Sequence, residues 1–109
     1  MTREFIFTKT FLKCWNAMGL STQDLQYLEK LLLENPRVGD VIQGTGGARK
    51  IRIQLDNSGK SGGGRVIYLD VFEKDKLYLL FAYPKSIQEN LTDEQKKIIK
   101  NLIELIKKE

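Results

Sequence analysis

From Lys50 to Leu55 the side chains alternate strictly, with Ile51, Ile53 and Leu55 set between Lys50, Arg52 and Gln54. A period of two belongs to a half-buried strand, with aliphatics inward and polar groups on the other side. A second run, Arg65–Phe72, reads as the next strand, and the residues between them make a hairpin with a long glycine-rich tip. A third run, Leu77–Tyr83, is nearly all apolar and suits a central strand covered on both sides. Short connections make these three strands antiparallel neighbours.

The charge is placed as firmly as the strands. Between Gly44 and Tyr68 stand Arg49, Lys50, Arg52, Lys60 and Arg65 against the single acid Asp56. That local surplus equals the +4 of the whole chain. Residues 1–43 are balanced, with Arg3, Lys9, Lys13, Lys30 and Arg37 set against five acids. A basic sheet face of this kind suits acidic partners, a phosphate backbone above all.

The flanking segments supply helices. Arg3–Thr8 reads as a short strand. Phe11, Cys14, Trp15 and Met18 recur at helical spacing, and Gly19 ends that turn. Ser21 with Asp24 forms an acid version of the capping box, before a helix running through Leu25, Leu28, Leu31 and Leu32. Asn35-Pro36 stops it. Arg37–Gln43 reads as an irregular connector. Thr92 and Gln95 cap a last helix with Ile98, Ile99, Leu102, Ile103 and Ile106 on its apolar side. The order is β-α-α-β-β-β-α, an α+β domain spanning residues 1–109, with two N-terminal helices on one face of an antiparallel sheet and a C-terminal helix. The other face, or part of it, is expected to remain open for a partner or substrate.

The same inventory excludes much chemistry. Histidine is absent, which removes the commonest general base and metal ligand. No metal, no other cofactor and no membrane span are expected. One cysteine allows no internal disulfide and suits a reducing cytoplasm. Gly59-Lys60-Ser61 mimics the end of a phosphate-binding loop, but Gln54 stands where its first glycine should be. Gly44-Thr45-Gly46 begins like a dinucleotide fingerprint, but Arg49 holds the third glycine position. The ordinary fate of a charge run is a solvated face. Against it stands convergence: Lys50 and Arg52 share a strand face, Arg65 opens the next strand and Lys85 follows the third.

The pieces Gly39–Gly47, Arg49–Arg52, Gly63–Tyr68 and Tyr83-Pro84-Lys85 together resemble the RelE/HigB family of bacterial toxins, over essentially the whole chain. The resemblance implies a RelE/ParE-like fold and a ribosome-dependent, metal-independent messenger-RNA endonuclease. Its partners would be messenger RNA in the ribosomal A site, ribosomal RNA and a cognate helix-turn-helix antitoxin. Carried over by position, Lys50, Arg52, Arg65 and Lys85 match the family's catalytic basic set, with Arg49, Lys60 and Tyr83 as RNA contacts. Family members often carry tyrosine or histidine near the start of the C-terminal segment. Here Ser86–Leu91 has neither, and Tyr83 and Lys85 are the nearest substitutes. Two other readings stay open: a gyrase inhibitor like the ParE branch, and a basic RNA- or ribosome-binding module without activity.

Overall fold

The computed structural model describes residues 2–54 and 63–109. The chain runs β1 (Glu4–Phe7), α1 (Lys9–Ala17), α2 (Thr22–Glu34), β2 (Asp40–Val41), β3 (Arg49–Ile53), β4 (Gly64–Val71), a 3-10 turn (Phe72–Lys74), β5 (Lys76–Pro84) and α3 (Asp93–Lys108). The described strands form one sheet in the order β1-β5-β4-β3-β2. The α+β class and the antiparallel run β3-β4-β5 are as the sequence implies.

Each helix begins where its side chains can satisfy the first free amides. Thr8 accepts from the Phe11 amide at 3.0 Å to start α1. Ser21 and Asp24 form the full reciprocal box at α2, and Thr92 and Gln95 do the same at α3.

Two buried layers sandwich the sheet. On one side α1 and α2 bring Phe11, Trp15, Leu28 and Leu32 onto Ile51, Val66, Tyr68, Leu77, Leu79 and Ala82. On the other, Ile99, Ile103 and Ile106 of α3 pack on Ala48, Ile67, Leu69, Tyr78 and Leu80. The face expected to stay open in whole or in part is therefore packed against α3 through Ile99, Ile103 and Ile106. The reason lies in β5, whose side chains are apolar on both faces and need a layer on each. A register shift opposite Ile67 and Tyr68 turns Leu80 and Phe81 to the same side, which feeds the α3 layer.

Two other details differ from expectation. β1 joins the sheet parallel to β5, so the sheet is mixed. Its connection to β5 passes through most of the chain, and no hairpin forces an antiparallel pair. Arg3 fastens this corner, with Nε 2.7 Å and Nη2 3.3 Å from the two Asp70 carboxylate oxygens. The connector Arg37–Gln43 also contains β2, which pairs Asp40 with Lys50 and Val41 with Arg49. The turn between β2 and β3 is fixed by buried Thr45, whose hydroxyl donates to the Ile42 carbonyl and accepts from the Ala48 amide.

Candidate nucleic-acid interface

Register decides which cations meet. In β3, Ile51 and Ile53 pack toward α1 and α2, so Lys50 and Arg52 point to the α3 side of the sheet. Arg52 lies directly opposite Arg65 of β4, and Arg65 lies opposite Tyr83 of β5. Lys50 stands two residues from Arg52 on the same face. Lys85 follows β5 immediately, its amide donating to the Gly63 carbonyl at 2.9 Å. Gly63 makes this close approach possible, because it sits at φ +53° and a Cβ there would overlap the Ile53 carbonyl oxygen. The structure thus brings Lys50, Arg52, Arg65, Tyr83 and Lys85 to one end of the sheet.

Like charges directly opposite each other in a ladder repel. Arg52 and Arg65 occupy such a pair, with Cα atoms on the order of 5 Å apart. The arrangement is unfavourable without an anion. Among the described residues, Glu89, from the turn between β5 and α3, brings an anion to this pair. Its carboxylate lies 3.9 Å from Arg65 Nη2 and 3.7 Å from Lys85 Nζ. The next residue extends the contact, since Lys50 Nζ donates to Asn90 Oδ1 at 2.9 Å. The Tyr83 hydroxyl donates to the Glu89 carbonyl at 3.4 Å.

Burial separates these side chains. Arg65 is only 2% exposed, and its Nη1 donates to the Gly64 carbonyl at 3.1 Å. Tyr83 is also buried. Burial pushes the Tyr83 phenol above its usual range; the Arg65 charge opposes that and Glu89 reinforces it. Arg52 and Lys85 are exposed, and Lys50 is half-buried. The group therefore presents cations to solvent at its rim and keeps a guanidinium beneath.

Arg49 does not join this group. Arg49 follows the alternation to the α1–α2 side, where Nη1 donates to the carbonyls of Gly39 at 2.7 Å and Arg37 at 3.2 Å. Lys60 lies outside the described residues, with most of the hairpin tip. Glu89 and Asn90 are the contacts that sequence reasoning missed. One signal was there: Glu89 is the only acid between Asp75 and Asp93, and it follows Lys85 by four residues. Among the described residues no group of three or more carboxylates or thiols is placed to hold a metal ion. No helix among them is long and apolar enough to cross a membrane.

Comparison with known proteins bears on the whole domain. The family model for the RelE toxin of the RelE/RelB toxin–antitoxin system matches residues 6–108. A double arginine-to-alanine mutant of the E. coli toxin RelE in the free state is similar at 24% identity, with TM-score 0.57, over 82% of this chain and 90% of that one. The toxin in the intact E. coli RelBE toxin–antitoxin complex is similar at 24% identity, with TM-score 0.54, over 76% of this chain and 96% of that one. A conserved hypothetical protein of Helicobacter pylori, solved in solution, is similar at 18% identity, with TM-score 0.52, over 79% and 97%. These likenesses show the fold.

Proposed function

The chain belongs to the RelE toxin family of RelE/RelB toxin–antitoxin systems, and from that premise we propose that it cuts messenger RNA inside the translating ribosome. As a member it is a toxin that inhibits translation. The observation that carries cleavage of the message is the opposed pair Arg52 and Arg65, with Lys50 and Lys85 beside it. Such a pair costs stability unless an anion lies over it, and RNA supplies one phosphate after another.

The chemistry these residues allow is transesterification by the RNA itself. The 2′-hydroxyl attacks the adjacent phosphorus, a phosphorane forms, and the 5′-oxygen leaves with a proton. Lys50 is the candidate base for the 2′-hydroxyl. Arg65 offers a planar fork to two phosphate oxygens, and Arg52 offsets the charge that develops on them. Lys85, exposed beyond β5, binds a phosphate or supplies the proton to the leaving oxygen. Tyr83 remains a donor across the working range, because burial keeps its hydroxyl protonated. The products carry a 2′,3′-cyclic phosphate. This route uses no metal ion and no cofactor.

A cognate antitoxin is the expected partner, as in the E. coli RelBE complex. On α3, Ile99, Ile103 and Ile106 are spent on the domain's own sheet. Ile87, Ile98 and Leu105, on and just before α3, stay exposed and are candidate apolar contacts for it.

The test is to induce the wild type and Arg65→Ala without a partner and to map transcript 5′ ends. New ends with the wild type alone are the expected result. Growth arrest by both proteins without new ends overturns the nuclease reading and favours an inhibitor acting by binding.

A further inference from the structure

Arg65 cannot reach a substrate in this conformation. It is 2% exposed, and the turn carrying Glu89 and Asn90 lies against it and its neighbours. A guanidinium so far from water needs a countercharge, and Glu89 provides one at 3.9 Å. The geometry of that carboxylate is informative. It meets Arg65 with Oε1 and Lys85 with Oε2, spanning two cations from neighbouring strand ends. Two oxygens bridging an arginine fork and an ammonium is also how a phosphodiester would bind there.

The turn is held by contacts that can be exchanged. Glu89 and Asn90 are exposed, and no regular element includes them. The Ile87 and Gln88 amides both donate to the Pro84 carbonyl, at 3.0 and 3.4 Å. Gln88 Nε2 donates to the Asn90 carbonyl and to Gln95 Oε1, both at 2.9 Å, which ties the turn to the start of α3. Among the described residues, Glu89 and Asn90 themselves are also tied by Lys50 to Asn90, Tyr83 to the Glu89 carbonyl and the two ion pairs. All four end on residues of the basic group itself.

We propose that Glu89 is an internal ligand of the RNA site: its carboxylate holds a phosphate's place between Arg65 and Lys85, and a phosphodiester of the substrate must displace it. The inference rests on the reading of this group as an RNA-cutting site and adds a positioning residue to it. Exchange of one anion for another keeps Arg65 compensated throughout. As Glu89 leaves, Asn90 is drawn off Lys50, so the base is released by the same movement that admits the phosphate.

The test uses the full chain, with inorganic phosphate and a 2′-O-methyl oligoribonucleotide as probes, the latter lacking the attacking hydroxyl. Glu89→Gln keeps the size of the side chain and removes its charge. Glu104→Gln, on the exposed side of α3, makes the same change of net charge at a distance. Glu89→Gln is expected to bind both probes about tenfold more tightly than wild type, a change of roughly 1.4 kcal/mol, with Glu104→Gln unchanged. In single-turnover cutting, Glu89→Gln lowers the half-saturating concentration, and Glu104→Gln does not. Equal affinity in wild type and Glu89→Gln overturns the proposal. A second measurement needs no variant: the Glu89 carboxyl carbon resonance of wild type moves toward that of free glutamate as phosphate saturates. A resonance that stays fixed while phosphate perturbs Arg65 overturns the proposal as well. Wild type that binds the probes yet cuts no ribosome-bound message defeats the nuclease reading instead, and the two titrations still decide the role of Glu89.

Discussion

Arg49 and Arg65 come from the same basic stretch and end in opposite circumstances. Arg49 is caged by neutral backbone. Its guanidinium fixes the Arg37 and Gly39 carbonyls, in a corner where Tyr68 accepts from the Gly39 amide at 2.9 Å and donates to the Pro36 carbonyl at 2.8 Å. Arg65 is compensated by a carboxylate on an exposed turn. Carbonyls built into a packed connector cannot leave, whereas a glutamate on a turn can. A cation whose partners are fixed is structural; one whose partner can be exchanged is available for an anionic ligand.

The largest effect expected on the Arg65 side is at Lys50. Lys50→Ala removes the candidate base and should slow single-turnover cleavage of ribosome-bound message by about 10²–10⁴-fold. Ribosome binding should change little, because Arg52, Arg65 and Lys85 still meet the phosphates. Arg52→Ala should weaken binding and cleavage together. If Lys50→Ala cuts at nearly the wild-type rate, Lys50 is only a phosphate contact, and the base is to be sought at Lys85 or Tyr83.

On the Arg49 side the effects fall on stability. Gly39 packs so closely that an added Cβ would come within 2.8 Å of the Lys50 carbonyl oxygen and 2.9 Å of the Tyr68 ring. Gly39→Ala should therefore cost ~1–3 kcal/mol in urea unfolding, as overpacking does. Arg49→Ala should cost less, ~0.5–1.5 kcal/mol for its carbonyl bonds, and should leave the cutting rate of the folded protein near wild type. A folded Arg49→Ala that no longer cuts would break the contrast and return Arg49 to the RNA contacts that the sequence suggests.

What the sequence made legible was local. Alternation at 50–55 fixed the face of Lys50 and Arg52, and the three consecutive runs fixed the neighbours that align Arg52, Arg65 and Tyr83. Capping pairs located both long helices. Long-range facts were not legible. Nothing local says that β1 pairs parallel with β5, since that contact closes a loop of some seventy residues. The cage of Arg49 was hidden because adjacent residues in a strand point to opposite sides, so Arg49 and Lys50 part company however similar they look. The ion pair of Arg65 with Glu89 was hidden because Glu89 arrives from a turn with no periodic signal.

The smallest predicted effect compares the two tyrosines that accompany these arginines. Burial raises the Tyr68 phenol above its usual range; the Gly39 amide and the Arg49 charge oppose it. Burial raises Tyr83 as well, with the Arg65 charge opposing. A phenol raised in the folded state binds its proton more tightly there than in the unfolded chain. Its contribution is fully present below the unfolded value of about 10 and is lost as pH climbs through the folded value. Stability should thus hold through neutral pH and decline above about pH 10. Tyr68→Phe loses bonds to Gly39 and Pro36, so it starts ~1 kcal/mol lower at neutral pH, but its alkaline decline should be shallower. Tyr83→Phe should also flatten the decline at a smaller neutral cost, since it gives up one 3.4 Å contact to a turn. Urea midpoints for the three proteins, measured from about pH 7 to about pH 11, read both quantities. A neutral-pH cost for Tyr83→Phe as large as that for Tyr68→Phe would show the Glu89 turn to be as firmly fixed as the Arg49 cage, and the distinction between the two arginines would fail.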